Sequence, residues 1–176
     1  NDSTTWTGAN KLTEVATNNT SNWGLPGVSS FSGAFSECST LTLVPTQIPS
    51  SVTDTSSMFA NADVFNQNIS GWTVSNVTFM YHMFWRAYAF NQPIGNWDVS
   101  NVTLMYSMFF YATAFNQPIG SWDVSSVIEM QGMFEDALAF NQDIGTWDTS
   151  KVILMSRMFY VYGWGGTSSV FNKNIR

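Results

Sequence analysis

The sequence predicts a repeat solenoid: one domain of 25-residue coils lying one over another, each with one short parallel strand and a short helix or 3-10 turn. Three observations predict it. Met58-Phe59, Met83-Phe84, Met108-Phe109, Met133-Phe134 and Met158-Phe159 recur every 25 positions. Trp72, Trp97, Trp122 and Trp147 form a second column on the same period, again without a gap. Within each repeat the apolar spacing changes from helical to extended, so that one repeat can bury only one face and its neighbours must cover it.

The elements follow in order. Residues 1–27 read as an N-terminal cap, since Trp23 precedes Val28 by five positions as Trp72 precedes Val77, while Asn1 to Asn22 share little else with the repeat. Residues 28–57 are degenerate repeats in which Val28, Phe31 and Ala34-Phe35 stand in for the Val, Met and Met-Phe columns. Regular repeats occupy 58–159. From Val77 through Met80, Met83-Phe84 and Ala87 the steps are three, three, one and three, which predicts a short helix or 3-10 turn. Ser75, Ser100, Ser125 and Ser150 lie just before it, where a hydroxyl can cap free amides. From Phe90 to Trp97 helical spacing stops, and an extended strand followed by a turn at Gly95 is the simpler reading. Residues 160–176 form an insertion, containing Gly163-Trp164-Gly165-Gly166, and a truncated last repeat in which Phe171-Asn172 arrive six residues late.

Composition narrows the function. Of 176 residues, 44% are hydrophobic and only 10% charged, so solubility rests on Asn, Ser and Thr. The net charge is −6 and six Lys and Arg are scattered along the chain, leaving no basic stripe for the phosphates of nucleic acid or for anionic lipid. Cys38 is the sole cysteine and cannot form an internal disulfide. No transmembrane segment is expected, because no apolar run approaches the roughly eighteen residues that a span needs. The first residues lack a basic start and an apolar h-region, so an export signal is expected to be removed or absent.

The repeated polar columns invite structural explanations. Asn66, Asn91, Asn116, Asn141 and Asn172 are expected to form a structural ladder, each amide satisfying backbone in its coil and bonding to the next copy. Gln67, Gln92, Gln117 and Gln142 are expected to alternate with it and face outward as a polar strip. Asp98, Asp123 and Asp148 stack in one column; they are a weak candidate for calcium, against the simpler reading of Asx turns in which each carboxylate bonds backbone two residues on. No other metal and no cofactor is expected.

Catalytic residues are not expected. His82 is the only histidine, and the residues in its column, Ser107, Gly132 and Arg157, share no chemistry with it. Cys38 lacks a neighbouring histidine or base to activate it. Glu135 and Asp136 read as a solvated tip. Asn-x-Ser/Thr sites at Asn18, Asn19, Asn68, Asn76 and Asn101 arise partly from the repeat itself and are weak evidence for glycosylation. The variable positions carry more information. Large aromatics at outward positions are costly for solubility unless covered, so Tyr81, Trp85, Tyr88, Tyr106, Phe110 and Tyr111, with Tyr160 and Trp164 from the insertion, predict either a binding patch or local packing.

The motif Met-Phe-x-x-Ala-x-x-Phe-Asn-Gln-x-Ile-x-x-Trp-Asp-Val-Ser-x-Val-x-x-Met, spanning about residues 52 to 160, resembles the repeat of BspA-like leucine-rich-repeat surface proteins, including the mycoplasma-lipoprotein form. Ala34-Phe35-Ser36-Glu37-Cys38-Ser39-Thr40-Leu41 resembles the treponemal-type repeat of the same group. The resemblance implies a right-handed leucine-rich-repeat-like coil, displayed outside the cell, with no catalytic residues to carry over. The expected function is non-catalytic adhesion or recognition of a protein or glycan on a cell or matrix surface. The alternative is a structural protein that self-associates end to end into a filament or surface layer.

Overall fold

The computed structural model describes residues 27–163 and 168–173. The expected N-terminal cap, apart from Gly27, lies outside them, as do Trp164 and the sequons at Asn18 and Asn19.

Successive coils meet along a row of isolated parallel bridges: Ser30 with Asp54, Asp54 with Phe79, Phe79 with Leu104, Leu104 with Glu129, and Glu129 with Leu154. The first step is 24 residues and the other four are 25, so the degenerate repeat is shorter by one position. No helix or 3-10 segment occurs among the described residues, and so no helix among them is long and apolar enough to cross a membrane.

Where helical spacing predicted a helix, the chain makes tandem turns. Met83 N–H bonds Met80 O at 3.2 Å, Trp85 bonds His82 at 3.0 Å, and Ala87 bonds Phe84 at 3.1 Å. The intervening amides point at the next coil: Met80, His82, Phe84 and Arg86 donate to the carbonyls of Leu104, Tyr106, Met108 and Phe110 at 2.7–3.1 Å. Half the donors thus close turns and half join coils, which satisfies the backbone without a helix. This arrangement requires left-handed residues at the third turn positions. Gly33 and Glu37, Ser57 and Asn61, His82 and Arg86, Ser107 and Tyr111, and Gly132 and Asp136 all have φ between 51° and 65°. A reversal of φ every four residues also limits each strand contact to a single bridge.

The segment expected to be the strand, 90–94 and its copies, has no ladder of its own. Pro93 and Pro118 lack the N–H groups a ladder needs, and side chains make the inter-coil bonds instead. Likewise the turn before Val102 is capped by Asp98 rather than Ser100: Asp98 Oδ1 accepts Ser100 N–H at 3.2 Å and its hydroxyl at 2.6 Å.

Like stacks on like in the core. Phe59, Phe84, Phe109, Phe134 and Phe159 form one column with centroids 5.6–5.7 Å apart. Phe65, Phe90, Phe115, Phe140 and Phe171 form another at 6.0–6.1 Å. The two columns interlock at 3.9–4.1 Å within each coil. Phe171 takes its place against Phe140 although 31 residues rather than 25 separate the two. Trp122 and Trp147 lie 6.5 Å apart with planes 3° from parallel, and their indole N–H groups donate to Ile94 O and Ile119 O, each at 3.1 Å. In the coil from Val77 to Val99, the Val, Met, Phe, Ala, Ile and Trp columns are all buried. Each fully buried apolar side chain of this size contributes about 1.5–3 kcal/mol, which rewards a single alignment of the coils.

Glycine serves close approach at two corners. A Cβ on Gly95 would fall on the Pro118 carbonyl oxygen, and one on Gly120 on the Asp143 carbonyl oxygen. The next coil passes over these corners, and no side chain fits between.

Candidate functional site: an aromatic and arginine face

The tandem turns send Met80, Met83, Phe84 and Ala87 inward and leave the pairs Tyr81-His82 and Trp85-Arg86 outward. Tyr81, Trp85, Tyr88, Tyr106, Phe110 and Tyr111 therefore share one face, all half-buried. Their half-burial comes from each other. Tyr81 and Tyr106 stack at 4.7 Å with planes 7° apart, Trp85 and Phe110 stack at 5.7 Å and 10°, and Phe110 tilts against Tyr111 at 4.9 Å. His82 meets the Tyr106 ring edge-on at 5.0 Å. Burial lowers the His82 pKa, so its imidazole is neutral over a wider pH range than usual. Burial, followed by the Tyr81 and Glu129 charges, pushes the Tyr106 hydroxyl up.

Arg86 completes this group. Its guanidinium carbon lies 5.1 Å from the Trp85 ring centroid and 5.8 Å from that of Tyr111, and its Nε donates to the Tyr88 hydroxyl at 2.8 Å. It is exposed and, among the described residues, pairs with no carboxylate.

Tyr160 belongs to a second group. With Tyr162 it makes an edge contact at 5.1 Å, and Arg157 lies over both rings at 4.8 and 5.2 Å while donating to the Tyr162 hydroxyl at 2.8 Å. Trp164, the remaining expected patch residue, lies outside the described residues. Between the two groups the aromatic column is broken by Glu135, which occupies the position of Trp85 and Phe110.

Glu135 and Asp136 correct the expectation of a solvated tip: each is only 4% exposed. The insertion is the cause, since Asp136 Oδ1 accepts the Tyr162 N–H at 2.9 Å and Asp136 N–H donates to Tyr160 O at 2.8 Å. Arg157 reaches Glu135 Oε1 at 3.4 Å, an ionic contact without hydrogen-bond alignment, and among the described residues no hydrogen bond of ordinary geometry reaches Asp136 Oδ2. Burial raises the Glu135 pKa, Arg157 opposes that shift, and the Asp136 charge adds to it.

The polar columns also resolve. Asn66 Oδ1 accepts Asn91 N–H and Gln92 Nε2, each at 2.9 Å, and the pattern repeats from Asn91 to Asn116 and Gln117 and from Asn116 to Asn141 and Gln142. It reaches Asn172 at 3.2 Å. The Gln side chains are thus half-buried partners in the ladder rather than an outward strip, because the amide nitrogens of Gln92, Gln117 and Gln142 donate to the Asn of the preceding coil and Gln67 pairs with the Val44 backbone. Asp98, Asp123 and Asp148 are exposed and accept the N–H of Ser100, Ser125 and Ser150 as Asx turns. Those hydrogen bonds hold the Asp123 and Asp148 carboxyls below their usual range. Among the described residues no three metal-ligating side chains of His, Cys, Asp or Glu come together. Asn76 and Asn101 use their side-chain amides to donate to Ser50 O and Ser75 O at 2.8 Å. Cys38 is buried, and burial pushes its thiol pKa up.

Two overlapping stretches, residues 6–109 and 92–176, match the family described as Mycoplasma protein of unknown function, DUF285. The chain belongs to the DUF285 family. The double match spans both the degenerate and the regular repeats, as a repetitive sequence of this period should. No curated protein and no solved structure matches the chain.

Of this candidate face, the residue pattern missed the parts that depend on other coils. Arg86 stood in a variable column beside Tyr111 and Asp136, and nothing in that column marked it as held by two rings and a phenol. Arg157 sits in the column of His82, where unlike side chains concealed a shared outward position.

Proposed function

We propose that this DUF285 chain is a right-handed, leucine-rich-repeat-like solenoid of the BspA-like kind, displayed at the cell exterior, that recognises a protein or glycan without catalysis. The observation that carries this reading is the face formed by Tyr81, Trp85, Tyr106 and Phe110. Side chains of this size, stacked in pairs across neighbouring coils and left half-open to water, form a preorganised contact surface at little entropic cost. The test is to replace Trp85 and Phe110 with Ser. Binding to immobilised matrix proteins or to a glycan panel should be lost while the melting temperature falls only slightly. A large fall in melting temperature, with binding retained by the folded fraction, sinks the reading and makes these rings packing residues.

A second reading, end-to-end assembly, is favoured by the coil at 151–160. Met155 is exposed although Met130, its counterpart in the preceding coil, is fully covered, and Ile153 beside it is 74% exposed against 38% for its own counterpart Ile128. A concentration-dependent polymer in light scattering that Ile153→Lys abolishes would support assembly. A monomer across the concentration range would remove it.

A further inference from the structure

We propose that Arg86 anchors a carboxylated sugar residue, so that the partner of this face is a glycan ending in a monoanionic, acid-bearing unit; this rests on the recognition reading above. Three features of Arg86 point there. First, the guanidinium is already positioned: two rings flank it at 5.1 and 5.8 Å, and the Tyr88 hydroxyl takes Nε at 2.8 Å. That contact uses the inner nitrogen and leaves the two terminal nitrogens, the pair that grips a carboxylate side by side, for a ligand. Second, Arg86 pairs with no carboxylate among the described residues of an acidic chain of net charge −6, whereas Arg157, the other arginine on aromatic rings, is matched to Glu135 at 3.4 Å. An exposed guanidinium held on apolar ring faces is weakly hydrated and favours an incoming anion. Third, the surroundings select a single negative charge. Asp136 occupies the Arg86 column two coils on, beyond Tyr111, and its charge together with that of the whole chain repels a partner carrying acids in succession, such as an acidic peptide or a nucleic acid. A terminal acidic sugar brings one carboxylate, hydroxyls for the phenols, and an apolar ring face for Trp85 and Tyr111.

The experiment compares immobilised oligosaccharides ending in glucuronic acid with the same chains ending in glucose, and with a peptide carrying three consecutive glutamates. The variants are Arg86→Asn and Trp85→Ser. Asn61 holds the same left-handed position one coil earlier, at φ 57° against 55° for Arg86, so Arg86→Asn keeps the backbone. The native chain should prefer glucuronate over glucose by about tenfold or more, and Arg86→Asn should erase that preference with an unchanged melting curve. Equal retention of both sugars, a preference that survives Arg86→Asn, or stronger retention of the peptide overturns the inference. In those cases loss of neutral-sugar or peptide binding in Trp85→Ser would leave the recognition face standing. No binding to any probe, with Trp85→Ser unchanged in every assay, would sink both.

Discussion

The side-chain oxygen of Asn91 accepts two hydrogen bonds from the following coil, one from the Asn116 backbone N–H and one from Gln117 Nε2, both at 2.9 Å. One amide therefore fastens two positions of its neighbour. Replacing Asn91 with Leu leaves the Asn116 N–H without its acceptor and Gln117 Nε2 with only the Asn91 backbone carbonyl, at 3.0 Å, and should cost about 1–3 kcal/mol in urea unfolding. Asn91→Asp keeps an acceptor in the same place and should lose clearly less. Equal losses for the two variants would show that the ladder does not depend on this oxygen.

Gly120 has the following coil's Asp143 carbonyl oxygen where its Cβ would be, so Gly120→Ala must push backbone against backbone. The expected loss is about 1–3 kcal/mol. Gly71→Ala is the control, because its Cβ meets the end of the Gln47 side chain at 3.3 Å and backbone, the Thr46 carbonyl oxygen, only at an ordinary contact distance of 3.8 Å. Thermal melts that rank the two variants in the opposite order would refute the account of these corners.

Ser107 adopts φ 51° at a position where the next coil carries Gly132 at φ 60°. A left-handed conformation costs a side-chain-bearing residue about 1–2 kcal/mol, part of which glycine forfeits through its freer unfolded chain. Ser107→Gly should raise the melting temperature by about 2 °C or more. Gly132→Ala should lower it, since the new Cβ meets both the unfavourable φ and Glu135 Oε2 at 3.0 Å.

Glu135 gives the stability a pH signature. Its folded pKa is raised above the ordinary 4.5, chiefly by burial, so between the ordinary and the folded value the folded state holds a proton that the unfolded chain has released. The contribution of this group is present below pH 4.5 and is lost as pH rises through the folded value. Glu135→Gln, neutral at every pH, should melt higher than the native chain at pH 7, with the gap closing towards pH 4.5. A gap that instead widens on acidification would mean that the Arg157 contact outweighs burial.

Much of this architecture is legible in the residues. The Phe, Trp, Met and Asn columns announce themselves because identical side chains at a fixed spacing have few arrangements other than stacking. The backbone between them is less legible. Steps of three and four from Val77 to Ala87 suit a helix as well as tandem turns, and although Gly33, Asn61, His82, Gly132 and Asp136 are of types that favour a positive φ, Arg86, Ser107 and Tyr111 at the equivalent positions are not. Gln117 looked outward because strand alternation was assumed, whereas its direction is set by Asn91 in another coil. The fate of Glu135 was hidden for a similar reason: its cover comes from Arg157, a coil away, and its neighbour Asp136 is covered by residues past Phe159, where the repeat breaks.

The rings of Phe140 and Phe171 sit 6.0 Å apart although 31 residues separate them, against 25 for Phe115 and Phe140 at 6.1 Å. Interior spacing is thus indifferent to how much chain travels outside. A gene encoding such coils can lengthen or rewrite its exterior segments one at a time, exploring new partners, while the inner rings act as a shared ruler that no outward change resets.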